Sequence, residues 1–463
     1  MPSSLKLSSA NPAIAYGVAT PIGRNNRLQE LPDELVLIVF DDIKNAADST
    51  PKTRLKTFHS LCSTSSTLSR VATPYLYRTI HNHLVHTAKL VRTLVEHTSL
   101  AEMIKCIHWK DGPLENDSPR NLLDIIQANL LLGRKFAFEQ MLLVRIELRD
   151  YAAVPGVVHS NNIAIILFLT SQVESITITR THPPRSDCYT PCPFSTTSLA
   201  SFPGTAFNLN SRLKQIKTIH LDMRAVGLPL IACLWKLSQL RYLKLSYVSQ
   251  SYDSESIAHA VDYRFSSIHH LILDHAYIGN AVPVQLLSSI KALVSFELLN
   301  ANWNSERFWC SLDYQMLSKG LLLHNDTLES LIIKGKSPGG FFTTMSTGYL
   351  TCLESMHAIR TLLLCASAIP GNVIPPNVED LRLLVDAGSY AAWIALHGAA
   401  SALWDQWSMT PQMKKMELVV RAEDRPTWVT KMTSRVWVID PESVWRKPPV
   451  WSWEYLVWSW EYL

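Results

Sequence analysis

Few side chains in this sequence stand at spacings that could perform chemistry. Gly335-Lys336-Ser337 has the ending of a phosphate-binding loop, but Ser330 occupies the place of the first glycine, so the backbone could not cradle a phosphate. His182, Cys188 and Cys192 bring three soft ligands into the Pro-rich loop 181–193. Their spacing matches no common zinc site and no fourth ligand is evident, so the loop reads as a disordered insertion between two strands. His269-His270 falls inside a strand pattern, where an exposed surface position is the default. No Gly-x-Ser-x-Gly elbow, His-Glu-x-x-His or Cys-x-x-Cys pair is expected. The expectation is a protein that is not an enzyme and holds no metal or cofactor. A hydrolase built from residues distant in sequence is the enzymatic alternative.

Composition narrows the class further. With 47% apolar and 18% charged residues, the 463-residue chain can bury a large core. Its longest clean apolar stretch, about Ile163–Leu169, is far short of the roughly 18 residues that a membrane-spanning helix needs. Met1-Pro-Ser-Ser-Leu-Lys lacks the charged flank and apolar run of a signal peptide. The net charge of +4, with Lys and Arg not gathered into a stripe, argues against a nucleic-acid partner. Eight cysteines without a disulfide-like framework fit a reducing compartment. The chain is therefore expected to be soluble and intracellular, cytoplasmic or nuclear, with no membrane partner.

The elements that would position any site begin at Leu31; residues 1–28 carry no sustained periodicity and read as a disordered tail. Pro32 at a first-turn position, followed by Asp33 and Glu34 at the positive end of the dipole, marks a helix start. Leu31, Leu35, Ile38 and Val39 form one apolar stripe on this helix, and Val36, Phe40 and Ile43 form another. A helix apolar on two sides is buried on two sides. A segment of about 50 residues is too small to wrap it, so the second stripe meets another chain or the following domain, unless this protein buries it elsewhere. Leu55, Phe58, Leu61 and Cys62 then recur at helical spacing, followed by Leu68, Val71 and Ala72. Pro74 is expected to end that run, with Tyr75–Ile80 leaving as an extended segment. Leu84–Met103 reads as one amphipathic helix through Leu90, Leu94 and Val95.

Beyond it a short pattern recurs: apolar, two residues, apolar, one residue, apolar. It appears at Ile104/Ile107/Trp109, Leu143/Ile146/Leu148, Val173/Ile176/Ile178, Ile216/Ile219/Leu221, Leu240/Leu243/Leu245 and Ile268/Leu271/Leu273. It continues at Leu293/Phe296/Leu298, Leu328/Leu331/Ile333, Ile359/Leu362/Leu364, Val378/Leu381/Leu383 and Met413/Met416/Leu418. At this composition the bare template matches by chance about one time in ten. The second position is more telling, because it is Lys, Arg, His or Glu in nine of the eleven, against about two expected. Each apolar triplet sits in a unit long enough for a helical or irregular return, which is the layout of a parallel strand-and-helix array. Three positions past the last apolar residue a leucine-rich repeat has Asn or Cys. Here stand Arg224, Val248, Ala276 and Ala301, so irregular turns are expected.

Alternation assigns a free face to such a sheet. If Ile219/Leu221 and their equivalents point into the core, the residues between and after them point out. In the later strands these include Ile272, Leu299, Ile332, Leu363 and Leu384, more apolar than a merely solvated face requires. They are the candidate target-binding residues, with burial under return segments as the alternative. At the end of the chain, Val450-Trp-Ser-Trp-Glu-Tyr-Leu456 is repeated without change at 457–463, as an aromatic cap, a docking peptide, a recent duplication or a misplaced gene end.

Leu31-Pro-Asp-Glu-Leu35, Ile38, Phe40 and Ile43, then Leu55, Phe58, Leu61-Cys62, Leu68, Ala72 and Pro74-Tyr-Leu-Tyr77 together resemble an F-box. With the leucine-rich region that follows, the chain is similar to the large group of fungal F-box proteins; Leu68 stands near where many F-boxes carry Trp or Phe. Together with the periodicity this gives an α/β (mixed) expectation: disordered tail at 1–28, F-box at 29–80, an irregular leucine-rich-repeat-like solenoid with a parallel sheet at 81–447, and the duplicated Trp-rich tail at 448–463. The resemblance implies the substrate-recognition subunit of a Skp–cullin–F-box ubiquitin ligase, with a protein target on the solenoid. Leu31, Pro32, Leu35, Ile38, Leu55, Phe58 and Cys62 would dock the Skp-type adaptor and, through it, a cullin. An F-box-bearing scaffold without a degradation role is the alternative.

Overall fold

A computed structural model describes residues 31–46, 49–111, 163, 166–167, 169–180, 213–223, 233–248, 263–276, 281–301, 304–305, 308–309, 312–335, 346–365, 368–369, 373–386, 412–421 and 435–439. The expectations for the Leu143/Ile146/Leu148 triplet, the His182/Cys188/Cys192 loop and both chain ends lie outside these residues. The chain forms two compact units, Met1–Leu76 and Tyr77–Leu463, so the division falls within a helix rather than at residue 80.

The first unit is helical. Helix α1 (Asp33–Asn45) follows Pro32, whose carbonyl accepts from the amides of Leu35 and Val36 at 3.0 and 3.1 Å. Asp33 and Glu34 in the first turn and Lys44 in the last complement its dipole. Helix α2 (Pro51–Cys62) has Pro51 at its start and a Thr50 N-cap, whose hydroxyl accepts from Thr53 N at 3.2 Å. Helix α3 (Ser66–Arg78) does not stop at Pro74 but runs through it. Pro74 removes only one helical donor, and Tyr75 and Leu76 beyond it pack on the core, which holds the last turn in place. That core is Val36 and Phe40 of α1, Phe58 of α2, and Leu68, Val71 and Ala72 of α3. Phe40 meets Phe58 and Tyr75 edge-on at 5.7 and 5.6 Å, and Phe58 stacks on Tyr75 at 5.3 Å.

The second unit opens with a short edge strand and two helices. Strand β1 (Thr79–His81) precedes α4 (Thr87–Glu96) and α5 (Thr98–Glu102), which break the single helix expected over 84–103. The break lies at His97, whose φ of −122° and ψ of 76° are not helical. Then come β2 (Cys106–Asp111), β3 (Ser175–Arg180), β4 (Thr218–Asp222), β5 (Tyr242–Ser246), β6 (His270–Asp274), α6 (Ala281–Ser289) and β7 (Ser295–Ala301). After these follow the short strands β8 (Asn304–Ser305), β9 (Phe308–Trp309) and β10 (Leu312–Asp313), then α7 (Tyr314–Leu321), β11 (Ser330–Gly335) and β12 (Ser346–Thr347). The chain closes the sheet with β13 (Thr361–Cys365), β14 (Asp380–Asp386), β15 (Lys415–Arg421) and β16 (Arg435–Ile439).

Twelve strands make one sheet in the order β1-β2-β3-β4-β5-β6-β7-β11-β13-β14-β15-β16. All neighbours are parallel except β15 and β16. Ten of the eleven apolar triplets are these strands, and register aligns them. Ile107, Ile176, Ile219, Leu243, Leu271, Phe296, Leu331, Leu362, Leu381 and Met416 stand side by side. From Ile107 to Leu381 each is fully buried, in one core with Leu94 of α4, Leu286 and Leu287 of α6, and Leu317 and Leu321 of α7. The two later helices close up where Gly320 faces α6: a Cβ there would lie 3.0 Å from Leu287 Cδ1 and 3.2 Å from Val284 Cα.

The second position of each described unit, charged in most of them, acts at the N-terminal ends of the strands. Its carbonyl accepts two successive amides of the next unit: Lys105 O from Glu174 and Ser175, Arg241 O from His269 and His270, Arg360 O from Glu379 and Asp380. Several of the side chains alternate in sign and pair. Glu174 lies 3.8 Å from Lys105 and 3.1 Å from Lys217; Glu379 lies 3.2 Å from Arg360 and 2.6 Å from Lys414. The cations beside Glu174 and Glu379 hold both carboxyls below the usual range. At the opposite ends, Tyr247 and His275 leave β5 and β6 in the left-handed region, at φ 60° and 52°, and their rings stack at 4.7 Å. Buried Val248 and Ala276 follow them, in place of the usual Asn or Cys.

Fully buried Asn82 completes the short edge strand. Its Nδ2 donates to Lys110 O at 2.8 Å and its Oδ1 accepts from Lys110 N at 2.7 Å, so one side chain substitutes for a further backbone pair. Asn82→Leu should leave both Lys110 backbone groups unmade and lower unfolding stability by about 1–3 kcal/mol per group. Urea unfolding measures this, and a loss within error of zero would contradict the assigned role.

Candidate protein-contact surfaces

Helix α1 turns its two apolar stripes in opposite directions. Val36 and Phe40 are buried, whereas Leu31, Leu35, Ile38 and Val39 are 36%, 46%, 58% and 36% exposed, with Leu37 beside them. Pro32 is exposed too. An apolar row of this kind on a well-formed helix is what a groove on a partner would cover. Leu55 and Cys62 on α2 are half-buried. Phe58, expected on the docking surface, is a core residue at 4% exposure between Phe40 and Tyr75, so its contribution is to hold α1 and α2 together.

The outer face of the sheet is a second surface. Leu299, Ile332, Leu363 and Leu384 are half-buried on it, and Ile272 is 7% exposed. Register places Ile272, Glu297, Ile332 and Leu363 in one row across β6, β7, β11 and β13. Leu299 and Lys334 are neighbours in the next row, and so are Cys365 and Leu384. Toward β1 the same face turns polar, through Lys244, His220, Thr177, His108 and His81. Its charges there are paired: Lys244 lies 3.3 Å from Asp274, which also meets His275 Nδ1 at 2.8 Å. Arg382 grips Asp380 through two nitrogens at 3.2 and 2.9 Å.

Two arrangements with chemical potential run against the expectations, the first of them an elbow motif expected to be absent. Gly335-Lys-Ser-Pro-Gly339 has the Gly-x-Ser-x-Gly order of a hydrolase elbow directly after a strand, and Ser337 lies outside the described residues. In such an elbow the residue after the nucleophile donates its amide to the oxyanion, and Pro338 has no amide hydrogen to give. On the sheet, His220 Nε2 lies 3.3 Å from Ser246 Oγ, with Asp222 in register beside Ser246. Burial, then Lys244, holds His220 below the ordinary imidazole range, as a base requires. Ser246 is only 6% exposed, however, so a substrate has little access to its hydroxyl. This pair could be found only through register, because 26 residues separate its members.

Histidines mark the unit in another way. His81 stacks on His108 at 4.6 Å and meets His83 edge-on at 5.7 Å. Among the described residues no group of three or more His, Cys, Asp or Glu is arranged to hold a metal ion. Buried His324 connects α6 to β7: its Nε2 donates to Leu287 O at 3.0 Å and its Nδ1 accepts from Leu293 N at 3.4 Å. Burial pushes His83, His108, His220, His269 and His324 below the ordinary imidazole range. Their neutral forms favour the fold. That stability is complete above the unfolded histidine value of about 6.5 and is lost as pH falls through the folded values. The urea midpoint should therefore drop between pH 7.5 and 5.5; an unchanged or rising midpoint would refute this.

No helix among the described residues is long and apolar enough to cross a membrane. A scan against protein-family models matches none, and a search of curated proteins finds no match.

Proposed function

We propose that this protein is the substrate-recognition subunit of a Skp–cullin–F-box ubiquitin ligase, with the helical unit docking a Skp-type adaptor and the sheet unit holding a target protein. The observation that carries the reading is α1: Leu35 and Ile38 lie exposed on the side opposite its buried residues, with exposed Leu31 just before the helix, along the segment that resembles an F-box. An exposed apolar stripe on a helix gains from burial in a partner's groove by about 25 cal/mol for each Å² of apolar surface covered. The half-buried apolar residues of the sheet's outer face support the second half of the reading. The direct test is titration of the purified full chain with a purified Skp-type adaptor, followed by calorimetry and gel filtration. A one-to-one complex is expected, and no binding at micromolar concentrations would remove the reading.

A further inference from the structure

Glu297 stands apart from the other charges on the sheet's outer face. It lies in register between Ile272 of β6 and Ile332 of β11, with Leu299 two residues further along its own strand. Lys244 is taken up by Asp274 and Arg382 by Asp380. Glu297 is half-buried and has no hydrogen-bond or ion-pair partner among the described residues. Lys334, the exposed cation in the next row, stands beside Leu299. Loss of solvent, reinforced by Asp274, raises the Glu297 carboxyl above its usual range, although Lys244 and His270 pull the other way.

A partner that closes over Ile272, Ile332, Leu363 and Leu299 must also take the remaining water from Glu297. A wholly apolar partner would leave the carboxyl either charged without compensation or forced to take up a proton, and both cost free energy. A partner with a lysine or arginine opposite it would form a charge-assisted hydrogen bond in a partly desolvated place, where such bonds are strongest. We infer that the outer face around Glu297 selects a target segment in which one arginine or lysine is flanked by apolar side chains. The apolar rows supply contact area, and the carboxylate rejects segments that bring no cation. This rests on the substrate-receptor reading for its biological setting, but not for its chemistry.

The test uses the full chain on a synthetic peptide array. The central residue is Arg, Lys, Gln, Leu or Glu, and the flanking positions are drawn from Leu, Ile, Val and Ser. Arg- and Lys-centred peptides should bind about tenfold more tightly than Glu-centred ones, as a charge-assisted hydrogen bond requires. Glu297→Gln should remove that preference, and Glu297→Lys should reverse it in favour of Glu-centred peptides. Unchanged circular dichroism and melting temperature would show that both variants are folded. Wild-type protein that binds no peptide, or that shows no preference for a central cation, overturns the inference, as does a preference that survives Glu297→Lys. Skp-type adaptor binding is measured on the same preparations. If the preference fails while adaptor binding holds, only this inference falls; if adaptor binding fails while the preference holds, only the ligase reading falls.

Discussion

Replacing Leu31 and Leu35 together by alanine should abolish co-purification of the full chain with a Skp-type adaptor while leaving the helical unit folded. Leu35 lies on the outer stripe of α1 and Leu31 is exposed just before it; neither belongs to the core of Val36, Phe40 and Phe58. Truncating a central apolar anchor of an interface often costs about 2 kcal/mol or more, which is about thirtyfold in affinity for each residue. Phe58→Ala is the contrasting variant. It removes a ring that touches both Phe40 and Tyr75, so it should unfold the unit rather than weaken a contact. Undiminished adaptor binding by a folded Leu31→Ala/Leu35→Ala protein would eliminate the proposed docking surface.

A comparable contrast separates the two faces of the sheet. Phe296→Ala should destabilise the second unit by about 3–5 kcal/mol, because Phe296 is fully buried in the central row of the inner face. Leu299, three residues on along the same strand, points the other way and is half-buried. Leu299→Asp should cost about 1 kcal/mol of stability, as outer positions do, and Leu363→Lys the same. Both should lose the peptide binding described for the outer face. Urea unfolding and the peptide array read the two effects separately. If Leu299→Asp unfolds the chain as Phe296→Ala does, the outer face is core and no recognition surface exists there.

The sequence makes some of this arrangement legible, because parallel strands buried on one face repeat one local pattern. The apolar triplets identify ten strands, and the Lys, Arg, His and Glu bias at their second positions corresponds to the ion pairs around Glu174 and Glu379. The two stripes of α1 likewise follow from periodicity alone. What periodicity does not reveal depends on partners distant in sequence. No local pattern singles out Asn82, whose partner Lys110 stands 28 positions on. Phe58 reads as an interface residue because its spacing on α2 does not show that Phe40 and Tyr75 enclose it. Glu297 reads as an ordinary polar position, and only register shows the two isoleucines on either side. Pro74 reads as a stop because the packing of the following turn outweighs a local preference.

The order of the strands has a consequence for biosynthesis. Along the large sheet every strand from β2 onward pairs with one that precedes it in the chain, and none before the last reverses direction. A strand leaving the ribosome therefore meets a partner already made. Domains emerge at about 5–20 residues per second, slow beside the microsecond scale of local pairing. The sheet can lengthen one strand at a time during synthesis, each new strand adding to its growing edge.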